Sequence, residues 1–221
     1  MKRTLFLLTV ILVTMAVFVG CSQPADNSDT IKIGLNYERS GDNATYGNDS
    51  VDGIVLAINE INAAGGIDGK EIELKDYDNQ SEPAEATTLA TRLATEDKVL
   101  AVMGPATSGN FKATIPVALK NKIPVASGSA TADDVTVDAN GVKEYAFRIC
   151  FNDSYQGTGM ANYAMNNLGK TKAVVIMDSS SDYGKGLAEN FTKTFEEAGG
   201  TIVAQEAYVA GDTDFNSIIT R

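Results

Sequence analysis

Residues 123–131 read IPVASGSAT, a short apolar run that gives way at once to small residues and hydroxyls. With Pro124 near its start and Gly128 just beyond its end, a run of this length and composition reads as a buried strand of a parallel sheet. Open α/β sheets bind their ligands beyond the carboxyl ends of the strands, and here that edge carries Ser127, Ser129 and Thr131. The pattern recurs one strand earlier, where residues 99–103 (VLAVM) run into Gly104, Pro105, Ala106, Thr107, Ser108 and Gly109. Any one Ser, Thr or Gly of this kind makes an ordinary turn or helix cap. Two consecutive strand ends that bring hydroxyls and backbone N–H groups to one point suit a carboxylate.

Outward from this stretch the chain alternates strand and helix, the pattern of a parallel sheet with helices on its faces. Strands are predicted at 31–35, 71–76, 99–103, 123–126, 145–150, 173–177 and 201–207. A polar loop, 36–46, is expected to end at Tyr46 and to lead into a helix carrying Val51, Ile54, Val55, Ile58 and Ile61. Ser81 is the expected N-cap of a helix with Pro83 in its first turn. The pattern over 111–120 is helical, with Pro116 expected to kink or bound it. Further helices are predicted at 156–168, at 184–198 and from about Asp214. The strand at 173–177 also ends in acids and hydroxyls, from Asp178 to Tyr183, a second edge that could face the first across a cleft.

The amino terminus follows different rules. Lys2 and Arg3 precede an almost continuously apolar run over 5–19, shorter than the roughly 20 residues of a spanning helix, so 1–20 reads as an export leader. Gly20-Cys21 resembles the lipobox of bacterial lipoproteins, which implies that Cys21 becomes the lipid-modified first residue of the mature chain. Residues 21–30 are polar and read as a tether.

Composition excludes several classes of function. The net charge of −11 argues against nucleic acid, which requires a basic face. The chain has no histidine, which removes Ser-His-Asp and Cys-His machinery and histidine metal sites. No Gly-x-Gly-x-x-Gly follows the first strand, and Gly169-Lys170-Thr171 lacks a phosphate loop's leading glycine, Ala164 standing there. Asp76, Asp78 and Gln80 imitate the start of a calcium loop, but Ser81 occupies the position of its obligatory glycine. With Cys21 lipidated, Cys150 has no disulfide partner in the chain and reads as a small core residue. No catalytic residue, metal or cofactor is expected.

The segments IKIGLNYERSGDNATYGNDSVDGIVLAINEINAAGGIDGKEIEL, GPATSG, SGSATADD, FRICFNDSYQG, DYGKGLAENF and AGDTDFNSII, in that order, resemble the periplasmic binding proteins of branched-chain amino acid transporters. These are the receptors of ABC importers. The resemblance implies an α/β, two-lobe, type I periplasmic binding fold of parallel sheets with flanking helices. Its first lobe would span 31–148 and a partial second lobe 149–221, with a hinge strand near 148–152. It implies that Ser108 and Thr131 donate to the ligand's α-carboxylate, with backbone N–H groups around Ala106 and Thr131. The Ser129 carbonyl and the Thr131 hydroxyl would accept from the ammonium, and Tyr46 and Tyr183 would cover the ligand. The implied partners are an amino acid, an ABC permease and, through the lipid anchor, the membrane, with the receptor extracytoplasmic and monomeric. The same fold serves as the ligand-binding domain of sensors, the alternative function. Glu38 and Arg39 depart from the family, which commonly has proline and an apolar residue there. Family chains also continue past the position of Arg221, where they supply the ammonium's acidic partner. Residues 22–221 alone are therefore expected to bind an amino acid weakly or not at all and to be poorly soluble, with Leu35 and Val102 partly exposed and an apolar sheet edge unpaired.

Overall fold

The structure, a computed structural model, describes residues 30–220; the leader, Cys21 and most of the tether lie outside the described residues. Strand β1 (Ile31–Tyr37) leads into helix α1 (Ala44–Ala63), then β2 (Ile72–Asp78) and α2 (Pro83–Arg92), which runs on as a π-turn, Leu93–Asp97. Next come β3 (Ala101–Met103), α3 (Ser108–Asn121) and β4 (Val125–Ser127). A 3₁₀ turn (Asp133–Val135) and the hairpin of β5 (Val137–Asp138) and β6 (Gly141–Val142) precede β7 (Ala146–Arg148). Beyond it lie α4 (Asp153–Asn162), β8 (Lys172–Asp178), α5 (Asp182–Glu197), β9 (Thr201–Tyr208) and the short α6 (Asn216–Ile219).

The first sheet has the order β2-β1-β3-β4-β7, with every neighbouring pair parallel. From β1 the chain steps outward to β2 and then returns across β1 to β3, so a topological switch point falls between the carboxyl ends of β1 and β3. Right-handed crossovers of opposite direction place their helices on opposite faces. The core divides accordingly. Leu35, Tyr37, Val51 and Ala106 pack with Ile54 and Val55 of α1, while Leu93, Val102, Phe111, Ile115 and Val125 pack under α2 and α3. Leu35 and Val102 are 0% and 2% exposed, contrary to expectation, because β1 and β3 are internal strands with helices on both faces.

Three local expectations are corrected. Helix α1 starts at Ala44, so Tyr46 belongs to its first turn and not to the loop before it. Ser81 does not cap α2: it sits at φ 64°, its hydroxyl donates to the Ser40 carbonyl at 2.8 Å and accepts from the Asn43 N–H at 3.1 Å. The side chain that was to serve its own helix ties two loops together instead. Pro116 lies inside α3 at an exposed position and so does not bound the helix.

The second sheet pairs β8 with β9 in parallel. Helices α4 and α5 pack on each other, with Phe195 fully buried and stacked on Phe191 at 5.4 Å. Val174, Ile176 and Val203 stand exposed in this sheet.

Candidate functional site

The crevice at the switch point is filled by the protein itself. Glu38, the residue after β1, is 0% exposed, and its carboxylate accepts four hydrogen bonds. The donors are the N–H groups of Ala106 (2.9 Å) and Thr107 (3.1 Å), the Thr107 hydroxyl (2.8 Å) and the Asn110 amide (2.9 Å). Helix N-termini have unpaired N–H groups and a positive field, and an anion belongs there. In this protein the anion at the start of α3 is Glu38. Burial, together with the Glu38 charge, pushes the neighbouring Tyr37 phenol up to about 12. The Asn110 amide also reaches Asn79, and Asn79 donates to Asn36, so a buried polar chain links α3 to β2 and β1.

Two glycines allow this crowding. A Cβ on Gly104, at φ 89°, would lie 2.5 Å from the Asn36 carbonyl and 2.8 Å from the Tyr37 ring. A Cβ on Gly47 would lie 1.9 Å from the Glu38 carbonyl, so the first turn of α1, with Tyr46, rests directly on the Glu38 backbone. The expectation that the Ala106 N–H serves a ligand carboxylate is therefore corrected: Glu38 holds it.

The hydroxyl cluster stands one crevice along, between the ends of β3 and β4. Ser127 is buried, donates to the Pro105 carbonyl at 2.7 Å and accepts from the Ala130 N–H at 3.0 Å, which locks the two loops together. The Ser129 hydroxyl donates to the Ala106 carbonyl at 2.8 Å. The Ser108 hydroxyl, in the first turn of α3, accepts from the Ala132 N–H at 3.1 Å, and its own proton remains available to donate. Ser108, Ser129 and Thr131 are thus brought together by cross-loop hydrogen bonds. Tyr46 is 66% exposed on α1. Tyr183 lies in the first turn of α5, where its hydroxyl accepts from the Gln156 amide at 3.1 Å. Among the described residues no hydrogen bond joins either tyrosine to the hydroxyl cluster.

Behind Thr131 stands a residue that sequence reasoning missed. The Thr131 carbonyl accepts from the Asp153 N–H at 2.8 Å and from the Arg148 guanidinium at 3.1 Å. Asp153 is fully buried, and neither of its carboxylate oxygens has a hydrogen-bond partner. Burial raises its pKa, the nearby Thr131 hydroxyl and Arg148 pull it down without overcoming that, and Asp133 and Asp134 add to the rise. An aspartate opening a helix is an ordinary feature of sequence, and nothing local marks this one as orphaned.

The raised pKa has a consequence for stability. The folded state holds this proton more tightly than the unfolded chain, so the penalty is absent below the unfolded value of about 3.9 and enters fully as pH rises through the folded value. Asp153→Asn removes the charge whose burial is penalised and is expected to stabilise the protein near neutral pH. The gain should shrink as the pH falls toward about 4. Denaturant melts at the two pH values check this; a variant less stable at neutral pH would show that the carboxylate is stabilised by its surroundings.

The other sequence features hold no ligand chemistry. Asp78 accepts from the Arg39, Ser40 and Gln80 N–H groups and from the Ser40 hydroxyl, while Asp76 pairs with Arg39. Among the described residues no group of His, Cys, Asp or Glu is placed to hold a metal. Cys150 is half-buried beside the Ala130 carbonyl, and burial pushes its thiol up. An open groove of about 620 Å³, lined by Met177, Lys185, Glu189, Lys193 and Gln205 among others, includes none of the expected ligand contacts.

This architecture, a doubly wound parallel sheet with its hydroxyl loops at one edge and a second sheet following, agrees with comparison to known proteins. The chain belongs to the periplasmic binding protein family, whose pattern it matches over residues 30–221. It is 34% identical over 218 residues to the Leu/Ile/Val-binding protein BraC3 of Rhizobium johnstonii, covering 99% of this chain and 57% of the relative. Among solved structures it is similar to the branched-chain amino acid transporter substrate-binding protein LivJ of Streptococcus pneumoniae, determined in complex with isoleucine. That likeness has a TM-score of 0.80 and 48% identity, over 86% of this chain and 53% of LivJ. The leucine-binding protein LivK of Thermotoga maritima matches with a TM-score of 0.79 and 32% identity, over 86% of this chain and 52% of LivK. The chain therefore has the type I periplasmic binding fold and spans little more than half the length of these relatives.

Proposed function

We propose that this protein is the extracytoplasmic solute-binding receptor of an ABC importer and takes an amino acid of the branched-chain type between two lobes, residues 31–148 and 149–221. The observation that carries the reading is the convergence of Ser108, Ser129 and Thr131 at two adjacent parallel strand ends, held by hydrogen bonds across the loops. Such a cluster recognises a carboxylate and an ammonium side by side. The isoleucine complex of LivJ and the Leu/Ile/Val-binding name of BraC3 support the choice of ligand. Tyr46 and Tyr183 cover the ligand from the first turns of α1 and α5. Closure of the lobes on the ligand is the step presented to the permease. The protein acts as a binding protein rather than an enzyme, and as a monomer. Calorimetric titration of the receptor with its second lobe complete, using L-isoleucine, L-leucine and L-valine, tests the reading; saturable binding of at least one is expected, and heats at the level of dilution for all three would end it.

Localisation follows from the leader. We infer that Cys21 is lipidated and tethers the receptor to the membrane through residues 21–30; among the described residues no helix is long and apolar enough to cross a membrane. Expressed protein is expected in the detergent phase with membranes, and Cys21→Ser is expected uncleaved or in the soluble fraction. Equal partitioning of the two, with the leader removed from both, would exclude the anchor.

A further inference from the structure

A polar seam joins the helices of the two sheets. Lys112, one turn beyond Ser108 on α3, places its ammonium 2.6 Å from an oxygen of Asp134 and 3.0 Å from one of Asp182. Asp134 lies in the 3₁₀ turn that follows the Thr131 loop. Asp182 is the first residue of α5 and directly precedes Tyr183. Beside this pair, Asp133 accepts from the Asn190 amide of α5 at 3.2 Å and from the Ser154 hydroxyl of α4 at 2.8 Å. The Lys112 and Asp182 side chains are 31% and 35% exposed, so the pair is partly withdrawn from solvent. Partial burial works against the ammonium, but its hydrogen bonds to Asp134 and Asp182 outweigh that and raise its pKa.

A fully exposed ion pair contributes little to any equilibrium. This one differs in that one cation is shared by two acids and ties α3 to α5, helices packed on different sheets. Its ends stand beside the residues read as ligand contacts: Ser108 lies four residues before Lys112 on one helix face, and Tyr183 adjoins Asp182.

We propose that Lys112 is a positioning residue, an electrostatic latch that draws the start of α5, and with it Tyr183, over the Ser108–Thr131 cluster and so sets how long the ligand stays bound. The proposal rests on the reading of that cluster and Tyr183 as the ligand site. Tightening by such a latch acts on the closed arrangement, so it should appear in the rate of release more than in the rate of capture. It should also fade as salt screens the pair.

The test compares wild type, Lys112→Met, Asp182→Asn and the double variant, titrated with L-isoleucine and followed by stopped flow at about 50 mM and about 1 M sodium chloride. Asp182→Asn leaves the Lys112–Asp134 pair in place, so it isolates the link between the sheets. At low salt each single variant is expected to bind about fivefold more weakly, mainly through faster release, and the double variant no more weakly than the singles. At high salt the difference from wild type should vanish. A second measurement needs no ligand: spin labels at Lys120→Cys on α3 and Lys193→Cys on α5, in a Cys150→Ser background, report the distance between the helices. Asp182→Asn should broaden that distance distribution toward longer values. Absence of isoleucine binding in wild type would overturn the ligand reading and not the latch. Unchanged distances in Asp182→Asn, or unchanged affinity at low salt in a protein that binds isoleucine, would overturn the latch.

Discussion

With the second lobe complete, Thr131→Ala is expected to weaken binding of L-isoleucine tenfold to a hundredfold. In the proposed reading the Thr131 hydroxyl serves both charged ends of the ligand, and a hydrogen bond to a charged group is worth about 1.5–3 kcal/mol. The loop should stay folded, because the Thr131 carbonyl still accepts from Asp153 and Arg148, although loss of the hydroxyl that favours the buried Asp153 carboxylate should lower stability modestly. Calorimetry on wild type and variant checks it, with circular dichroism as the control for folding. An unchanged dissociation constant would remove Thr131 from the site. Loss of binding together with loss of folding would mean that its side chain supports the loop.

The second large effect is on stability. Glu38→Ala takes the acceptor away from four buried or half-buried donors at the start of α3 and leaves a void where the buried side chain stood. Buried donors without partners cost about 1–3 kcal/mol each when water cannot reach them, and partial relaxation makes a total of about 3 kcal/mol a reasonable expectation. For a chain of this size that corresponds to a fall of about 6–12 °C in the melting temperature. Glu38→Gln keeps the shape but sets an amide N–H₂ against N–H donors, so its loss should be smaller and still measurable. Melting curves of the three proteins decide this. A melting temperature for Glu38→Ala equal to wild type would mean that water or another side chain replaces the carboxylate, and that the switch-point crevice is open to ligands after all.

The fold was legible because it is written in local patterns. The apolar run before Ser127, its counterpart before Gly104 and the alternation of strand and helix each declare themselves over a few residues, and together they require a parallel sheet. The hydroxyls of Ser108, Ser129 and Thr131 were legible for the same reason, since they follow directly on those strands. Glu38 was not. Its partners lie 68 to 72 positions further along the chain, and in its own neighbourhood it is one charged residue of a polar loop. The same contact explains why α3 begins at Ser108 when the periodicity suggested a start near Phe111. Ser108, Gly109 and Asn110 are weak helix formers, and the tertiary anion that satisfies their end of the helix is invisible to propensity. Asp153 escaped notice on similar grounds, because its burial depends on the packing of α4 against α5 and on close contact with Gly186.

Glu38 also changes how the site is understood. The helix N-terminus at the switch point, a position suited to an anion, is already occupied by a carboxylate of the chain. In the proposed reading a ligand carboxylate is left with the adjoining crevice, where hydroxyls and not a full set of helix N–H groups would receive it. Under the proposed function this leaves recognition to Ser108 and Thr131, while Glu38 satisfies the start of the helix that carries Ser108.

The most direct test of this arrangement is a crystal structure of the protein with L-isoleucine. The account predicts the ligand carboxylate within hydrogen-bond distance of the Ser108 and Thr131 hydroxyls, its ammonium at the Ser129 carbonyl, and Glu38 still bound to the Ala106 and Thr107 N–H groups. A ligand carboxylate seated on those two N–H groups with Glu38 displaced, or a ligand bound away from the ends of β3 and β4, would contradict it.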